Sequence, residues 1–467
     1  MSNIQFDYST LSTSISRSEL NSIIGRHFID SNYDISEEAS SEGSSQSTDV
    51  YVQPSPRDKY NIVYVIFGLF GIATLLPWNF FITANDYWLY KFRDTVSDHC
   101  IDNRNKTSLQ AAFTSYITVS NNVPYVTFLV LCTLFSNRFS KMFRVVASLV
   151  AMLILFMIIT SFVEINTDGW QMWFFTITII IIILVGTTSA IFQAGISGIA
   201  SLLPAKYMHI LVLGQAFAGI LAAVAQILSL LGKCDSTKSA FMFFSFADIV
   251  LLLALLSYIA IQKSEFFQYH VHSLKDTILK EVSESEEKTR ISVLMVIQQI
   301  WPYALSIVLD FWITIGIFPS LAVLVVSNSQ GTIWNDKLFL PVTCFLMFNI
   351  SDFCGRAVGG WLPIPSTHRM HLLTLSSMRI IFIPLFMLCN AHPRHYLPVI
   401  FSDDIYYIIF ITLLGFSNGY LIAVAMMIGI KSVNPLLQEM AGTILSTFLG
   451  AGLMLGALSS CLFINII

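Results

Sequence analysis

The protein has 467 residues, of which 55% are hydrophobic and 12% are charged. Soluble globular domains carry about twice that share of charged residues, so the composition excludes a soluble domain and indicates a membrane protein. The formal net charge of −4 argues against nucleic acid as a partner.

The chain opens with a polar segment, residues 1–59, that is rich in Ser, Thr, Asp and Glu. Such a composition cannot bury enough apolar surface to form a core, and it predicts a disordered tail. The segment contains no apolar stretch of the kind that a signal peptide requires, so we expect the tail to be cytosolic.

Beyond the tail, eleven apolar runs are long enough to cross a bilayer. They lie near residues 60–83, 111–135, 142–164, 172–203, 208–231, 240–262, 293–326, 338–362, 372–391, 405–430 and 438–465. The runs at 172–203 and 293–326 exceed the membrane thickness and are expected to tilt, kink or protrude. We therefore predict an all-α polytopic membrane protein with eleven transmembrane helices. Its predicted parts are a six-helix bundle (60–262), a charged cytosolic loop (263–292) and a five-helix bundle (293–467).

The orientation follows from the number of spans. An odd number with a cytosolic start places the C-terminus outside the cell. The positive-inside signal is weak, because several lysine and arginine residues fall in the first long loop, which this topology makes extracellular. That loop contains the sequon Asn105-Lys106-Thr107, which predicts glycosylation of Asn105 and agrees with an outside placement.

The eighth run contains an acid and a base. On a helix, Asn349, Asp352 and Arg356 lie at i, i+3 and i+7 and therefore share one face. Facing lipid, each charge would cost about 2.5–3.5 kcal/mol on insertion scales, so this face is expected to meet a protein interior or a water-filled cavity. Two interpretations follow: an ion pair that locks one helix, or a polar substrate site.

Two further runs carry candidate binding residues. In the first run, Leu75 and Trp78 lie on one helical stripe, which could wall a cavity, although membrane tryptophans usually lie at the bilayer interface. In the fourth run, Gln193 lies among small residues. Its amide could bridge two helices or bond a polar ligand, because it offers both a donor and an acceptor.

The remaining motifs indicate helix packing, and catalytic and metal-binding motifs are absent from the sequence. The pairs Gly415/Gly419 and Gly452/Gly456 match G-x-x-x-G and predict close helix packing. The sequence contains no Walker loop, zincin motif or nucleophile elbow, and no histidine pair at a convincing metal-ligand spacing. We therefore predict no enzymatic activity, no cofactor and no metal.

Five segments, in this order and in the corresponding spans, resemble the equilibrative nucleoside transporter family. They are Thr74–Phe81, Gln193–Ala205, Gly316–Pro319, Phe348–Arg356 and Phe416–Leu421. The resemblance runs from about residue 60 to the C-terminus. It implies a major-facilitator-like fold in six plus five helices and facilitative transport of nucleosides, and in some members of nucleobases, by alternating access. We expect a plasma-membrane location; the oligomeric state cannot be predicted.

The resemblance also implies roles for particular residues. The family's base-contacting tryptophan and glutamine fall on Trp78 and Gln193, and its ribose-contacting acid and base fall on Asp352 and Arg356. Leu75 and Asn349, on the same helical faces as these residues, complete the predicted substrate site.

The sequence departs from the family pattern at three positions. Ser189 replaces a glycine beside the predicted cavity, while Asp248 and Asp310 stand inside spans where apolar residues are usual. Asp310 has no basic residue one turn away along its own helix, and is therefore expected to be neutral and hydrogen-bonded. The alternative is that one of these acids carries protons in a coupled symporter. A seven-span receptor with added helices is a second alternative, which the count of eleven spans disfavours.

Overall fold

The computed structural model describes residues 56–93, 108–134, 141–231, 236–273, 293–328, 334, 338–362, 369–392, 397–434 and 437–466. Asn105 and the segment 1–55 of the predicted tail lie outside these residues, as do positions 274–292 of the predicted central loop. Within them, the backbone is helical apart from turns and two isolated β-bridges.

The first half of the chain contains eight of the α-helices that the structure describes. They are α1 (Ile62–Thr83), α2 (Asn85–Lys91), α3 (Ser108–Leu134), α4 (Lys141–Glu164), α5 (Gln171–Leu202), α6 (Ala205–Leu231), α7 (Ser236–Ile261) and α8 (Glu265–Gln268). Two short 3-10 turns, Lys59–Asn61 and Asp168–Trp170, precede α1 and α5, and a π-helical segment, Tyr269–Ser273, follows α8.

Six more of the described α-helices lie in the second half of the chain. They are α9 (Val293–Ile317), α10 (Met347–Trp361), α11 (Arg369–Met378), α12 (Phe382–Met387), α13 (Asp404–Lys431) and α14 (Gln438–Ile466). A π-helical segment, Leu340–Leu346, leads into α10, and 3-10 turns occupy Ala322–Leu324 and Arg379–Ile381.

Among the described residues, nine helical stretches are long and apolar enough to cross a membrane. They correspond to nine of the eleven predicted runs. The run at 111–135 contributes a shorter apolar helix, Val119–Cys132. The run at 338–362 does not qualify, because it begins with a π-helical segment and its α-helical part has only 15 residues. The prediction of a multi-pass, all-α membrane protein is confirmed.

The two long runs behave differently. Helix α5 stays continuous for 32 residues, which is about 48 Å at the helical rise, so it extends beyond the hydrocarbon core of a bilayer. By contrast, α9 ends at Ile317, two residues before Pro319, and the chain continues in a 3-10 turn. Proline commonly follows a helix end because it cannot continue the helical hydrogen bonding.

Asp58 anchors the start of α1. Its Oδ1 accepts a hydrogen bond from the backbone N–H of Val63 at 3.1 Å, and its Oδ2 accepts one from Tyr64 at 3.0 Å. A carboxylate at a helix N-terminus is favourable because it pairs with unsatisfied N–H groups. The hydroxyl of Tyr207, on α6, donates to the same Oδ2 at 2.9 Å, so this carboxylate also ties α1 to α6.

Glycines allow α10 and α13 to cross at very short distance. A Cβ atom on Gly419 would lie 2.7 Å from the carbonyl carbon of Asp352 and 2.9 Å from the backbone nitrogen of Arg356. From the other helix, a Cβ on Gly355 would lie 2.8 Å from the nitrogen of Tyr420. The predicted packing role of the Gly415/Gly419 pair is confirmed, and the crossing point coincides with the charged residues of α10.

Candidate functional site

Asp352 and Arg356 form a buried ion pair on α10. The two side chains are 4% and 6% exposed, and Nε of Arg356 donates to Oδ2 of Asp352 at 2.8 Å. The expectation that this face meets the protein interior is therefore confirmed. In such a pair, the attraction between the two charges compensates part of the free-energy cost of removing each charge from water.

The same arginine links α10 to α6, a helix from the other half of the chain. Nη1 of Arg356 donates to the carbonyl oxygen of Val212 at 2.8 Å. In the opposite direction, the imidazole Nε2–H of His209 donates to the carbonyl oxygen of Arg356, also at 2.8 Å. Because a carbonyl only accepts, this contact assigns the ring proton to Nε2. The pair thus lies where the two halves of the chain meet.

Asn349 lies on the same face of α10 and is half-buried. Its amide nitrogen donates to the carbonyl oxygen of Phe345, in the π-helical segment that leads into α10, at 2.9 Å. A Cβ atom on Gly219 of α6 would lie 2.7 Å from the Asn349 side-chain carbon Cγ. The asparagine side chain therefore occupies space that a glycine of α6 leaves open, which is a contact between helices.

Asp352 has a second partner, on α13. Nδ2 of Asn418 donates to Oδ1 of Asp352 at 2.6 Å, and Oδ1 of Asn418 accepts from the hydroxyl of Thr314 at 2.8 Å. Asn418 and Thr314 were not among the predicted site residues. The glycines on either side of the asparagine were the available signal, because a polar residue between two packing glycines lies at the helix crossing.

Asp310 is paired, contrary to the expectation of a neutral carboxyl. Arg379, in the 3-10 turn between α11 and α12, forms an ion pair with it, and the two side chains are 1% and 3% exposed. The predicted neutral state was based only on the residues one turn away from Asp310 on its own helix. The basic partner comes from another helix, which periodicity along α9 cannot reveal.

Leu75 and Trp78 lie three residues apart on α1, and both are half-buried. Leu75 packs against the main hydrophobic cluster of the protein. Pro77 stands inside the helix between them, and a proline there frees a backbone carbonyl from helical hydrogen bonding. The face that carries Trp78 is therefore only partly used by internal packing.

Gln193 is buried at the contact between α5 and α6. Its Nε2 donates to the hydroxyl of Ser197 at 3.0 Å, and its Oε1 accepts from Nε2 of Gln215 on α6 at 3.0 Å. An amide has two N–H groups and two acceptor lone pairs, so these bonds leave one of each on Gln193. Gln215 was not selected from the sequence, although it also follows a small residue in a span.

The remaining departures from the family pattern lie in the first half of the chain. Ser189 donates to the sulfur of Met152 at 3.2 Å, so its hydroxyl is used between α5 and α4. Asp248 accepts a hydrogen bond from Thr160 at 2.7 Å through Oδ2. Its Oδ1 is buried and has no hydrogen-bond partner among the described residues.

Helix α6 connects the predicted site residues. It packs against α1, which carries Leu75 and Trp78, and against α10, which carries Asp352 and Arg356. It also bonds to Gln193 of α5 through Gln215. Within the part of the chain that the structure describes, no cluster of His, Cys, Asp and Glu is arranged to hold a metal ion.

The fold and these contacts first define the class of protein. The helices have the major-facilitator architecture: a solved proton:xylose symporter of that superfamily, XylE, aligns with a TM-score of 0.56 over 85% of this chain and 86% of that chain. At 12% sequence identity, this likeness concerns the fold alone. The protein is thus a multi-pass membrane protein of transporter architecture.

Sequence comparison then narrows the class to one family. The family model described as Nucleoside transporter matches residues 179–465. The equilibrative nucleoside transporter 1 of Rattus norvegicus is 34% identical over 448 residues, and that of Homo sapiens is 34% identical over 449. Each alignment covers 87% of this chain and 98% of the relative. The chain belongs to the nucleoside transporter family, so the resemblance stated from its motifs is confirmed.

Proposed function

We propose that the protein carries nucleosides across the membrane down their gradient, by alternating access between its two halves. The observation that carries the proposal is the Asp352–Arg356 pair, which is buried where α10 meets α6. A charged pair inside a membrane protein is costly to maintain, so it marks a substrate path by default. Membership of the nucleoside transporter family identifies the substrate class.

The contacts around the pair suit a moving junction. The bonds from Arg356 to Val212 and from His209 to Arg356 join helices of opposite halves. If one half rocks against the other, these two bonds break while the bond between Asp352 and Arg356, within one helix, stays intact. The pair can then hold a ligand in both the outward and the inward state.

The chemistry of the side chains divides the ligand into two parts. The Asp352 carboxylate accepts hydrogen bonds and the Arg356 guanidinium donates them, which matches the hydroxyls of a ribose. Trp78 and Leu75 offer an apolar wall against which a base can stack. The unused donor and acceptor of Gln193 suit the edge of a base, and Asn349 borders the sugar end.

Replacing Gln193 with alanine is expected to change the preference among nucleosides more than the affinity for all of them. When the amide that pairs with one base is removed, the polar groups of that base lose their hydrogen-bond partner, at a cost of about 1–3 kcal/mol. Transport KM values for purine and pyrimidine nucleosides measure the effect. Gln268, exposed on α8, provides the matched control as Gln268→Ala. An equal loss for every nucleoside would show that Gln193 serves only to join α5 and α6.

The topology belongs to the same proposal. Eleven spans in six plus five helices follow if the segments at 111–135 and 338–362 also cross the bilayer. The bundles are then 60–262 and 293–467, joined by the loop 263–292, with the tail 1–59 in the cytosol and the C-terminus outside. In this proposal the protein lies in the plasma membrane, where the lipid bilayer surrounds it.

Glycosylation tests that orientation. In a glycosylating cell, treatment with a glycosidase is expected to increase the gel mobility of the wild type and to leave that of Asn105→Gln unchanged. The physical reason is that glycan addition requires the sequon to face the lumen during synthesis. Equal mobility of the treated and untreated wild type would contradict the glycosylation, and labelling of single cysteines in the first loop would then decide its side.

A proton-coupled symporter of nucleosides or nucleobases is the second candidate. The observation in its favour is the buried, unpartnered Oδ1 of Asp248. Oδ2 of Asp310 is also buried without a partner among the described residues, but Arg379 compensates the charge of that carboxylate, so Asp310 is the weaker candidate for a proton carrier. Uptake of a labelled panel of nucleosides and nucleobases, with and without an imposed proton gradient, tests both candidates. Facilitative transport gives equilibration in both conditions; accumulation that needs the gradient and disappears in Asp248→Asn identifies the symporter.

A further inference from the structure

The second buried ion pair lies outside the residues assigned to the substrate. Asp310 is on α9, and Arg379 is in the 3-10 turn that interrupts the segment from Arg369 to Met387. Pro384, five residues after Arg379, lacks an N–H and its ring conflicts with the carbonyl four residues earlier, which favours a tighter turn at that place. The turn directs the guanidinium into the bundle.

Every N–H group of Arg379 has an acceptor. Its Nε donates to the hydroxyl of Ser417 at 3.0 Å. Its Nη1 donates to the carboxylate and to the carbonyl oxygen of Asp310, the latter at 3.0 Å. Its Nη2 donates to the hydroxyl of Thr314 at 2.8 Å and to the carbonyl oxygen of Leu414 at 3.0 Å. A guanidinium has five N–H donors, so none remains for a ligand.

This saturation determines the direction of the hydrogen bonds beyond Arg379. A guanidinium only donates, so the Thr314 oxygen must accept from it. The single proton of the Thr314 hydroxyl then goes to Oδ1 of Asn418 at 2.8 Å. With its oxygen facing Thr314, the Asn418 amide must present its nitrogen to Oδ1 of Asp352, at 2.6 Å.

We propose that Arg379, held by Asp310, is a positioning residue for the substrate site, and that it acts through Thr314 and Asn418 on Asp352. The inference rests on the proposed function, since it takes Asp352 to bind the ribose. Asp352 receives Asn418 on one oxygen and Arg356 on the other. The carboxylate plane is therefore fixed, and its remaining lone pairs point in set directions toward a ligand hydroxyl.

Removal of the Thr314 hydroxyl has a specific consequence for the substrate site. Without the Thr314 hydroxyl, Oδ1 of Asn418 loses its donor, and the amide is held only by its bond to the Asp352 carboxylate. The amide can then rotate together with the carboxylate that it contacts. The lone pairs of Asp352 are no longer fixed, so recognition of the sugar hydroxyls weakens while the surface that meets the base is unchanged. A pair that merely stabilised the bundle would affect all substrates alike.

The test compares ribonucleosides with their 2′,3′-dideoxy counterparts in Thr314→Val, which keeps the shape of the side chain and removes the hydroxyl. For each variant, transport KM is measured for uridine and adenosine and for the dideoxy form of each. The ratio of ribonucleoside KM to dideoxynucleoside KM is expected to rise about tenfold, equivalent to about 1.4 kcal/mol. Both KM values come from the same preparation, so the ratio does not depend on how much protein folds.

Three further variants make the result specific. Thr314→Ser keeps the hydroxyl and is expected to keep the wild-type ratio. Thr343→Val removes another buried threonine hydroxyl of the same half, one that bonds to Phe339 at 2.5 Å, and is expected to leave the ratio unchanged. Arg379→Lys keeps the charge but cannot supply the fork of donors, so its ratio is expected to rise as in Thr314→Val.

The outcomes separate this inference from the function on which it rests. A wild type that transports no nucleoside overturns the proposed function. A wild type that prefers ribonucleosides, combined with unchanged ratios in Thr314→Val and Arg379→Lys, overturns only the positioning role. Equal rises in Thr314→Val and Thr343→Val also overturn it, because the effect would then belong to any buried threonine.

Discussion

Replacing Arg356 with alanine is expected to abolish nucleoside uptake while the protein still reaches the membrane. The substitution removes the bond to Asp352 and the bond across to Val212. It also removes the hydrogen bonds that the guanidinium gives to the sugar, and bonds from a charged group contribute about 1.5–3 kcal/mol each. Each 1.4 kcal/mol is about tenfold in affinity. Uptake is therefore expected to fall by about 100-fold or more, measured per molecule at the surface.

The control for this experiment is an arginine in a partly exposed ion pair near the surface. Arg93 bonds to Asp168 at 2.8 Å, with side chains 31% and 33% exposed, and such surface pairs contribute about 0–1 kcal/mol. Arg93→Ala is therefore expected to keep near-normal uptake. Normal uptake by surface-expressed Arg356→Ala would contradict the assigned role of this arginine and favour a pair that only stabilises α10.

Replacing Gly419 with alanine is expected to destabilise the protein and to disrupt the site together. The new Cβ atom would lie 2.7 Å from the carbonyl carbon of Asp352 and 2.9 Å from the nitrogen of Arg356, so the backbones of α10 and α13 must separate. Overpacking of this kind costs about 1–3 kcal/mol, and occasionally more. The separation also lengthens the bond from Asn418 to Asp352. Thermal unfolding of the purified protein in detergent, together with uptake, measures both effects.

Gly169 is the matched control, because a Cβ atom there would meet nothing within 4 Å. Gly169→Ala is expected to unfold at the wild-type temperature and to transport normally. If Gly419→Ala behaves in the same way, the close crossing of α10 and α13 is not needed for stability or for the site.

The sequence alone determined the class of protein and the position of the charged pair. Apolar runs of about 20 residues have few stable arrangements other than membrane helices, because lipid cannot satisfy exposed backbone groups. Helical periodicity brings Asp352 and Arg356, four residues apart, onto one face, so their pairing was accessible before the structure. The order of five motifs identified the family, which the comparisons then confirmed.

The partners across helices were decided by the tertiary structure. Periodicity describes the faces of a single helix, but it does not state which residue of another helix lies opposite. Asp310 was therefore expected to be neutral, whereas Arg379, 69 positions along the chain, pairs with it. The contact between Asn418 and Asp352, 66 positions apart, depends in the same way on where the glycines let α10 and α13 cross.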